Sequence, residues 1–265
     1  RPSDRGFNLN KKLFEFFDYL RKDNKFRILD LRRFEMELNA GLYFDSNIPL
    51  GYGVGSSGAL VAAVYDRFKL IEIEDTLKLK SFLASMENYF HGSSSGIDPL
   101  QCYLGKPFVL SQQTTDNGQQ SSFTILDNDF ISDDIHIFLL DTNIKSPTGP
   151  LVEHFKERRQ DEKYLDKFNN EYVPLVKECI DCLVEKKDDE FFANLLRLST
   201  LQLELLSHTI PDDYKEYFLK DTNEDHFQIK LCGAGGGGFL LGFSDDVEAT
   251  DRYWEDRRKK ISWIR

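Results

Sequence analysis

The sequence predicts an α+β fold in two domains, and three observations carry that expectation. Apolar residues recur at helical spacing in some stretches and alternate in others, the two periods expected of amphipathic helices and half-buried strands. The patterns mix without the regular strand–helix–strand period of a parallel sheet. A polar, acidic segment over residues 127–134 interrupts a chain of 265 residues, about 1.8 times a typical domain. The expected domains are therefore residues 1–133 and 134–265.

Each element follows in order. Leu9, Leu13, Phe16, Phe17 and Leu20 predict a helix over residues 9–21. Phe34, Met36 and Leu38, then Leu42 and Phe44, alternate as strands do. A turn over residues 49–58 precedes a small apolar helix, 59–68. Leu79, Phe82, Leu83, Met86 and Phe90 stripe a helix that starts near Asp75 and ends at His91-Gly92. Strands are expected at 107–111 and 122–126, with the polar stretch 112–120 as a loop. Residues 135–141 read as a buried strand, and helices are expected at 150–169, 173–187 and 189–207. Phe227, Ile229 and Leu231 alternate before a run of glycines, and a strand resumes over 239–243.

Charge and cysteine usage narrow the function classes. Lys and Arg number 34 against 45 Asp and Glu, a formal net charge of −11. Such a surface repels phosphate backbones at long range, which disfavours a nucleic-acid partner. Uncharged runs such as residues 50–65 are too short and glycine-rich to span a bilayer, so no membrane role is expected. Four cysteines in a chain this long form no disulfide framework and suggest a reducing, cytoplasmic setting. Cys179 and Cys182 are spaced C-x-x-C, but they share a helical stripe with Leu175, Val176 and Leu183 and lack a second ligand pair. Core packing is the favoured reading.

Three segments carry chemistry. Residues 53–58 hold three glycines and two serines in six positions, immediately before a helix. Glycines admit close approach of a ligand, and a helix start aims free N–H groups at it, which suits phosphate. Gly53, Gly55 and Gly58 also spell G-x-G-x-x-G, with Asp75 near the distance a dinucleotide fold needs. Pro49 stands where that fold's first strand should pair, so the dinucleotide reading is second. In residues 87–98, Glu87 at a helix end and Asp98 beyond a small-residue turn are a pair suited to phosphoryl transfer. One carboxylate holds a hard cation beside a hydroxyl and the other orients the attacking alcohol; a solvated helix end and a turn aspartate explain the residues equally well. Residues 233–238 hold five glycines in six positions between apolar strands. A hairpin needs one or two, so close approach to a ligand or to another backbone is expected.

Together these segments resemble the galactokinase, homoserine kinase, mevalonate kinase and phosphomevalonate kinase (GHMP) superfamily. Residues 49–59 are similar to its P-x-G-x-G-L-G-S-S-A-A motif, with Val54 for Leu and Gly58 for Ala. Residues 230–238 resemble its late K-[LT]-[TS]-G-A-G-G-G-G motif, with Cys232 at the hydroxyl position. Glu87, His91, Gly92, Ser95, Gly96, Ile97 and Asp98 match the mevalonate kinase pattern E-x-x-x-H-G-x-P-S-G-[IV]-D, with Ser94 in place of proline and Pro99 after the aspartate. Residues 141–152 resemble that family's T-x-[IV]-x-x-x-T-x-x-L-V segment.

The resemblance implies a ribosomal protein S5 domain 2-like first domain, a ferredoxin-like second domain, and ATP with Mg²⁺ as cofactors. It implies Asp98 as the catalytic base, Ser57 and Glu87 as Mg²⁺ ligands, and Gly53, Val54, Gly55, Ser56, Ser57 and Gly58 as the triphosphate cradle. Gly233, Ala234 and Gly235 would line the transfer site, and His91, Ser95 and Thr148 would contact a small-molecule acceptor, mevalonate before phosphomevalonate, homoserine or a sugar. A nucleotide-binding regulator of the same fold is the reading from another class. A homodimer is a further implication, argued by no surface of the sequence. The family's first motif, a lysine-bearing strand with G-E-[HY], has no counterpart before Leu9; a chain opening on Arg1 suggests that an N-terminal segment precedes it.

Overall fold

The computed structural model describes residues 4–115, 118–127, 129–146, 148–220 and 222–264. The chain forms two compact units: Arg1–Ile48 with Gly55–Asp127, and Pro49–Val54 with Asn128–Arg265.

The first unit holds helices α1 (Asp4–Leu20), α2 (Leu31–Asn39), α3 (Ser56–Phe68), α4 (Thr76–His91) and α5 (Ile97–Leu104), followed by strands β1 (Phe108–Thr115) and β2 (Gly118–Ile125). Its core is dense in aromatics: Phe16, Phe26, Phe34, Tyr65 and Phe68 are fully buried, joined by Leu83 and Met86 from α4. α2 corrects the strand expected around Phe34. The Asp30 carboxylate accepts from the Arg33 N–H and caps a helix there. Phe34 and Leu38, one turn apart, go inward while Met36 is 72% exposed, a helical split that three alternating apolar residues imitate. α4 matches its predicted limits because Asp75 caps its start and Gly92 its end. β1 and β2 pair antiparallel from Phe108↔Ile125 to Thr115↔Gly118, so strands run through most of the expected 112–120 loop. Their ladder is made by backbone groups, which polar residues supply as well as apolar ones.

The second unit is built on four antiparallel strands in the order β4-β5-β3-β6, with β3 (His136–Asp141), β4 (Phe227–Leu231), β5 (Phe239–Ser244) and β6 (Ile261–Trp263). Helices α6 (Thr148–Arg158), α7 (Glu162–Lys167), α8 (Val173–Val184), α9 (Asp188–Leu205) and the short α10 (Thr222–Asp225) lie between β3 and β4, and α11 (Val247–Asp256) lies between β5 and β6. This β-α-β-β-α-β order is the ferredoxin-like arrangement. The single helix expected over 150–169 is divided, because the Asp161 carboxylate accepts from Lys163 and Tyr164 N–H groups and starts a new one. A π-helical turn, Phe168–Tyr172, then runs into α8. Phe138, Phe227, Leu240 and Trp254 form one core cluster. Cys179 and Cys182 sit buried in a second with Leu175, Phe191 and Leu195, as core packing requires, and burial pushes the Cys179 thiol up to about 12. Among the described residues no helix is long and apolar enough to cross a membrane.

Candidate active site

The glycine-rich loop changes character partway along. Pro49–Val54 belongs to the second unit; from Gly55 onward the chain belongs to the first. Gly55 takes the left-handed conformation (φ 74°) as the cap of α3 and offers no side chain to the helix start. The first N–H groups of any helix lack intrahelical acceptors, so those of Ser56, Ser57 and Gly58 gain no capping partner from Gly55. With the positive end of the helix dipole, this start suits an anion. It begins three residues before the expected helix at residue 59, and so includes both serines.

Ser57 stands in the first turn of α3, and its hydroxyl donates to Glu87 Oε1 at 2.8 Å. His91 Nε2 lies 2.8 Å from the same hydroxyl oxygen. A serine has one proton to give, so with that proton on Glu87 the imidazole is the donor in the second bond. Glu87 and His91 reach Ser57 together because they stand one turn apart on α4. The residue types are those of a hydrolytic triad, but the connectivity differs. There the acid orients the imidazole, whereas here acid and imidazole both hold the hydroxyl. Glu87 is buried, and its second oxygen accepts from Ser94 Oγ at 2.5 Å. Ser94 is held in turn: its N–H donates to Asn88 Oδ1, and its hydroxyl accepts from the Gly96 N–H. Asn88 carries no sequence signal of its own. The signal for Ser94 was its departure from the family's proline, since a hydroxyl there meets the buried carboxylate.

Asp98 stands in the first turn of α5, where the sequence suggested only a turn. Desolvation raises its carboxyl above the ordinary carboxylate range and the Glu87 charge adds to the rise, while His91 opposes it. Pro99 fits beside it, because a proline in a helix's first turn lacks an N–H that would have no partner anyway. α3 and α5 meet at Gly58, where an added Cβ would lie 2.8 Å from the Asp98 carbonyl carbon and 2.8 Å from Pro99 N. The family's alanine at this position would push the two helices apart. Ser95 is exposed and its hydroxyl accepts from the Ile97 N–H at 3.3 Å, a local turn contact. The first unit thus gathers Ser57, Gly58, Glu87, His91 and Asp98 along α3, α4 and α5 with Gly55 and Ser56 at the α3 start, and leaves Ser95 in the turn between α4 and α5.

Gly53, Val54, Gly233, Ala234 and Gly235 belong to the second unit. There the late glycines are packed against backbone. A Cβ on Gly238 would lie 2.1 Å from the Tyr52 carbonyl oxygen, and one on Gly233 would lie 3.5 Å from that of Gly53. The Gly236 N–H donates to the Thr209 carbonyl at 2.5 Å, and the Gly238 N–H to the Ile144 carbonyl at 2.6 Å. Thr209 carries no sequence signal, and Ile144 stands in the 141–152 segment as a motif position; both act here through their main-chain carbonyls. Thr148 opens α6, but its side chain lies outside the described residues.

Oxygen donors and an uncapped helix start suit a triphosphate with a hard cation. The Ser57 hydroxyl and Glu87 carboxylate are the ligand types Mg²⁺ prefers, with water filling the remaining positions. Among the described residues no group of three or more His, Cys, Asp or Glu converges on a metal site, so a cation here would depend on water and phosphate oxygens.

An anion-suited helix start beside a hydroxyl, two carboxylates and an imidazole is chemically suited to a phosphorylated ligand. Residues 13–106 match the family described as GHMP kinases N terminal domain. Solved structures share its two-domain fold. L. major mevalonate kinase in complex with R-mevalonate superposes with a TM-score of 0.58 at 15% identity, over 77% of this chain and 61% of that one. Streptococcus pneumoniae phosphomevalonate kinase in complex with phosphomevalonate and AMPPNP gives 0.61 at 16%, over 100% and 83%. Lactococcus lactis galactokinase complexed with galactose gives 0.54 at 19%, over 87% and 71%. The chain thus spans less than two thirds of the length of the L. major enzyme. No curated protein sequence matches it.

Proposed function

We propose that this protein is an ATP-dependent kinase that phosphorylates the hydroxyl of a small molecule, with mevalonate as acceptor and 5-phosphomevalonate, an isoprenoid precursor, as product. The convergence of Ser57, Glu87, His91 and Asp98 at the uncapped start of α3 carries this reading. Mg·ATP, when bound, supplies the γ-phosphoryl group and neutralises part of its charge. The N–H groups of Ser56, Ser57 and Gly58 hold phosphate oxygens, and Ser57 with Glu87 offers the oxygen ligands for the cation. Asp98 accepts the proton of the acceptor hydroxyl, or orients it for in-line attack. The raised carboxyl of Asp98 strengthens it as a base once ionised. A base has no use in a module that only binds nucleotide, which favours the enzyme over the regulator. The mevalonate assignment rests on the match of Glu87, His91, Gly92, Ser95, Gly96, Ile97 and Asp98 to the mevalonate kinase pattern, and Mg²⁺ on the Ser57–Glu87 pair.

The test is ADP release with Mg·ATP, with and without mevalonate. Mevalonate-dependent release is the expected result. Release only with phosphomevalonate, homoserine or galactose replaces the acceptor and keeps the kinase. ATP binding with no release from any acceptor contradicts the kinase.

A further inference from the structure

Glu87 is 4% exposed, and a buried carboxylate is costly unless its oxygens are bonded. Two hydroxyls from different elements meet it. Ser57 of α3 donates to Oε1 at 2.8 Å, and Ser94, in the turn between α4 and α5, donates to Oε2 at 2.5 Å. Ser94 is itself held from both sides. Its N–H donates to Asn88 Oδ1 at 2.8 Å, on α4, and its oxygen accepts at 2.9 Å from the N–H of Gly96, the cap of α5. That turn has little room to shift, because a Cβ on Gly96 would overlap the Lys80 carbonyl oxygen of α4. Proline, the residue of the mevalonate kinase pattern at this position, lacks both the hydroxyl and the N–H and could make none of these bonds.

The two hydroxyls are not equivalent. A hydroxyl or carboxylate binds a cation through lone pairs, so with Mg²⁺ between Ser57 and Glu87 the Ser57 proton turns away from Oε1. Ser94, on the other oxygen, keeps its bond. Among the described side chains it is then the one hydroxyl still donating to Glu87. We propose that Ser94 is a positioning residue for the cation: its hydroxyl holds Glu87 with Oε1 facing Ser57, so the ligand pair is set before the ion arrives. The role deepens the kinase reading above and rests on it. Partners of this kind, which bond a ligand and not the ion, are worth about 10- to 100-fold in metal affinity.

The experiment is calorimetric titration of AMPPNP in EDTA and in saturating Mg²⁺, where the ratio of the two dissociation constants is what the cation adds. Ser94→Ala should lower that ratio about tenfold, leaving the EDTA constant within about twofold. Because Ser94 acts through Glu87, the same change in a Glu87→Gln background should move the ratio by less than about twofold. A general loosening of the turn would cost as much in either background. If a melting curve shows Ser94→Ala unfolded, Ser94→Cys, a weak S–H donor, should lower the ratio partway. A wild-type ratio near one, a ratio unmoved by the folded variant, or the same loss in both backgrounds overturns the positioning role. ADP release by the wild type is scored separately. Release with a ratio indifferent to Ser94 keeps the kinase and overturns the role. No release from any acceptor, with the ratio still dependent on Ser94 and Glu87, overturns the kinase and keeps a cation site set by Ser94.

Discussion

Two glycine-rich segments, residues 51–58 and 233–238, are alike in composition and opposite in what they leave open. The first runs into α3 with a glycine cap that offers the helix start no side-chain partner. The second turns its donors inward: Gly236 and Gly238 N–H groups are bonded to Thr209 and Ile144, and the Gly235 carbonyl accepts from Ser146 Oγ at 2.5 Å. Glycine density therefore marks close approach, and the partner is identified only by following each N–H and carbonyl. In the first segment the α3 start has no side-chain cap, although Gly58 packs against α5 and the Gly51 carbonyl accepts from the Ser146 N–H; in most of the second the partner is the protein itself.

The largest expected effect breaks the chemistry of the first segment. Asp98→Asn should lower turnover by about 10²- to 10⁴-fold, the usual worth of a general base, with ATP affinity within a few fold. Near-normal turnover would remove Asp98 from the mechanism. Gly238→Ala tests the second segment, because its Cβ would strike the Tyr52 carbonyl at a residue with φ 68°. A loss of about 2–4 kcal/mol in denaturant unfolding is expected from overlap plus left-handed strain. Gly53→Ala sharpens the contrast: Gly53 has φ 68° but nothing within 4 Å of its added Cβ, so strain alone should cost about 1–2 kcal/mol. Equal losses at the two sites would mean that backbone packing does not explain the late glycines.

Smaller effects refine the polar cluster. Ser57→Ala should raise the Mg²⁺ concentration needed for half-maximal rate by about tenfold, and an unchanged requirement would place the cation elsewhere. The pH dependence follows from Asp98. Because its carboxyl is raised, the acid limb of kcat/KM should lie above the ordinary aspartate value of about 3.9. Glu87→Gln removes the neighbouring charge and should move that limb downward, whereas an upward move would contradict the coupling. The folded chain holds the Asp98 proton more tightly than the unfolded chain. Its contribution to stability is therefore present at low pH and lost as pH rises through the folded value.

Much of this was legible in the residues. Asp75 and Gly92 bound α4, the alternation of Phe227, Ile229 and Leu231 gives β4, and Glu87 reads as lying at a helix end, as it does in α4. What was missed has physical causes. Phe34, Met36 and Leu38 imitate a strand because a short helix with one inward face shows only two apolar positions per turn. α5 was hidden because its start is a glycine cap followed by Ile97, Asp98 and Pro99, without a capping side chain to announce it. α11 is mostly polar and charged and β6 is three residues long, so neither shows an apolar period long enough to read. In the site, the Ser94–Glu87 bond and the Thr209 and Ile144 carbonyls depend on tertiary approach, which one-dimensional spacing does not record.

The contrast between the two glycine segments is tested most directly by following backbone amide NMR shifts while Mg·AMPPNP is added. The account predicts large shifts at Ser56, Ser57 and Gly58, whose N–H groups await an anion, and small ones at Gly236 and Gly238, whose N–H groups are already bonded within the protein. Large shifts at Gly236 and Gly238 with Ser57 and Gly58 unmoved would contradict it.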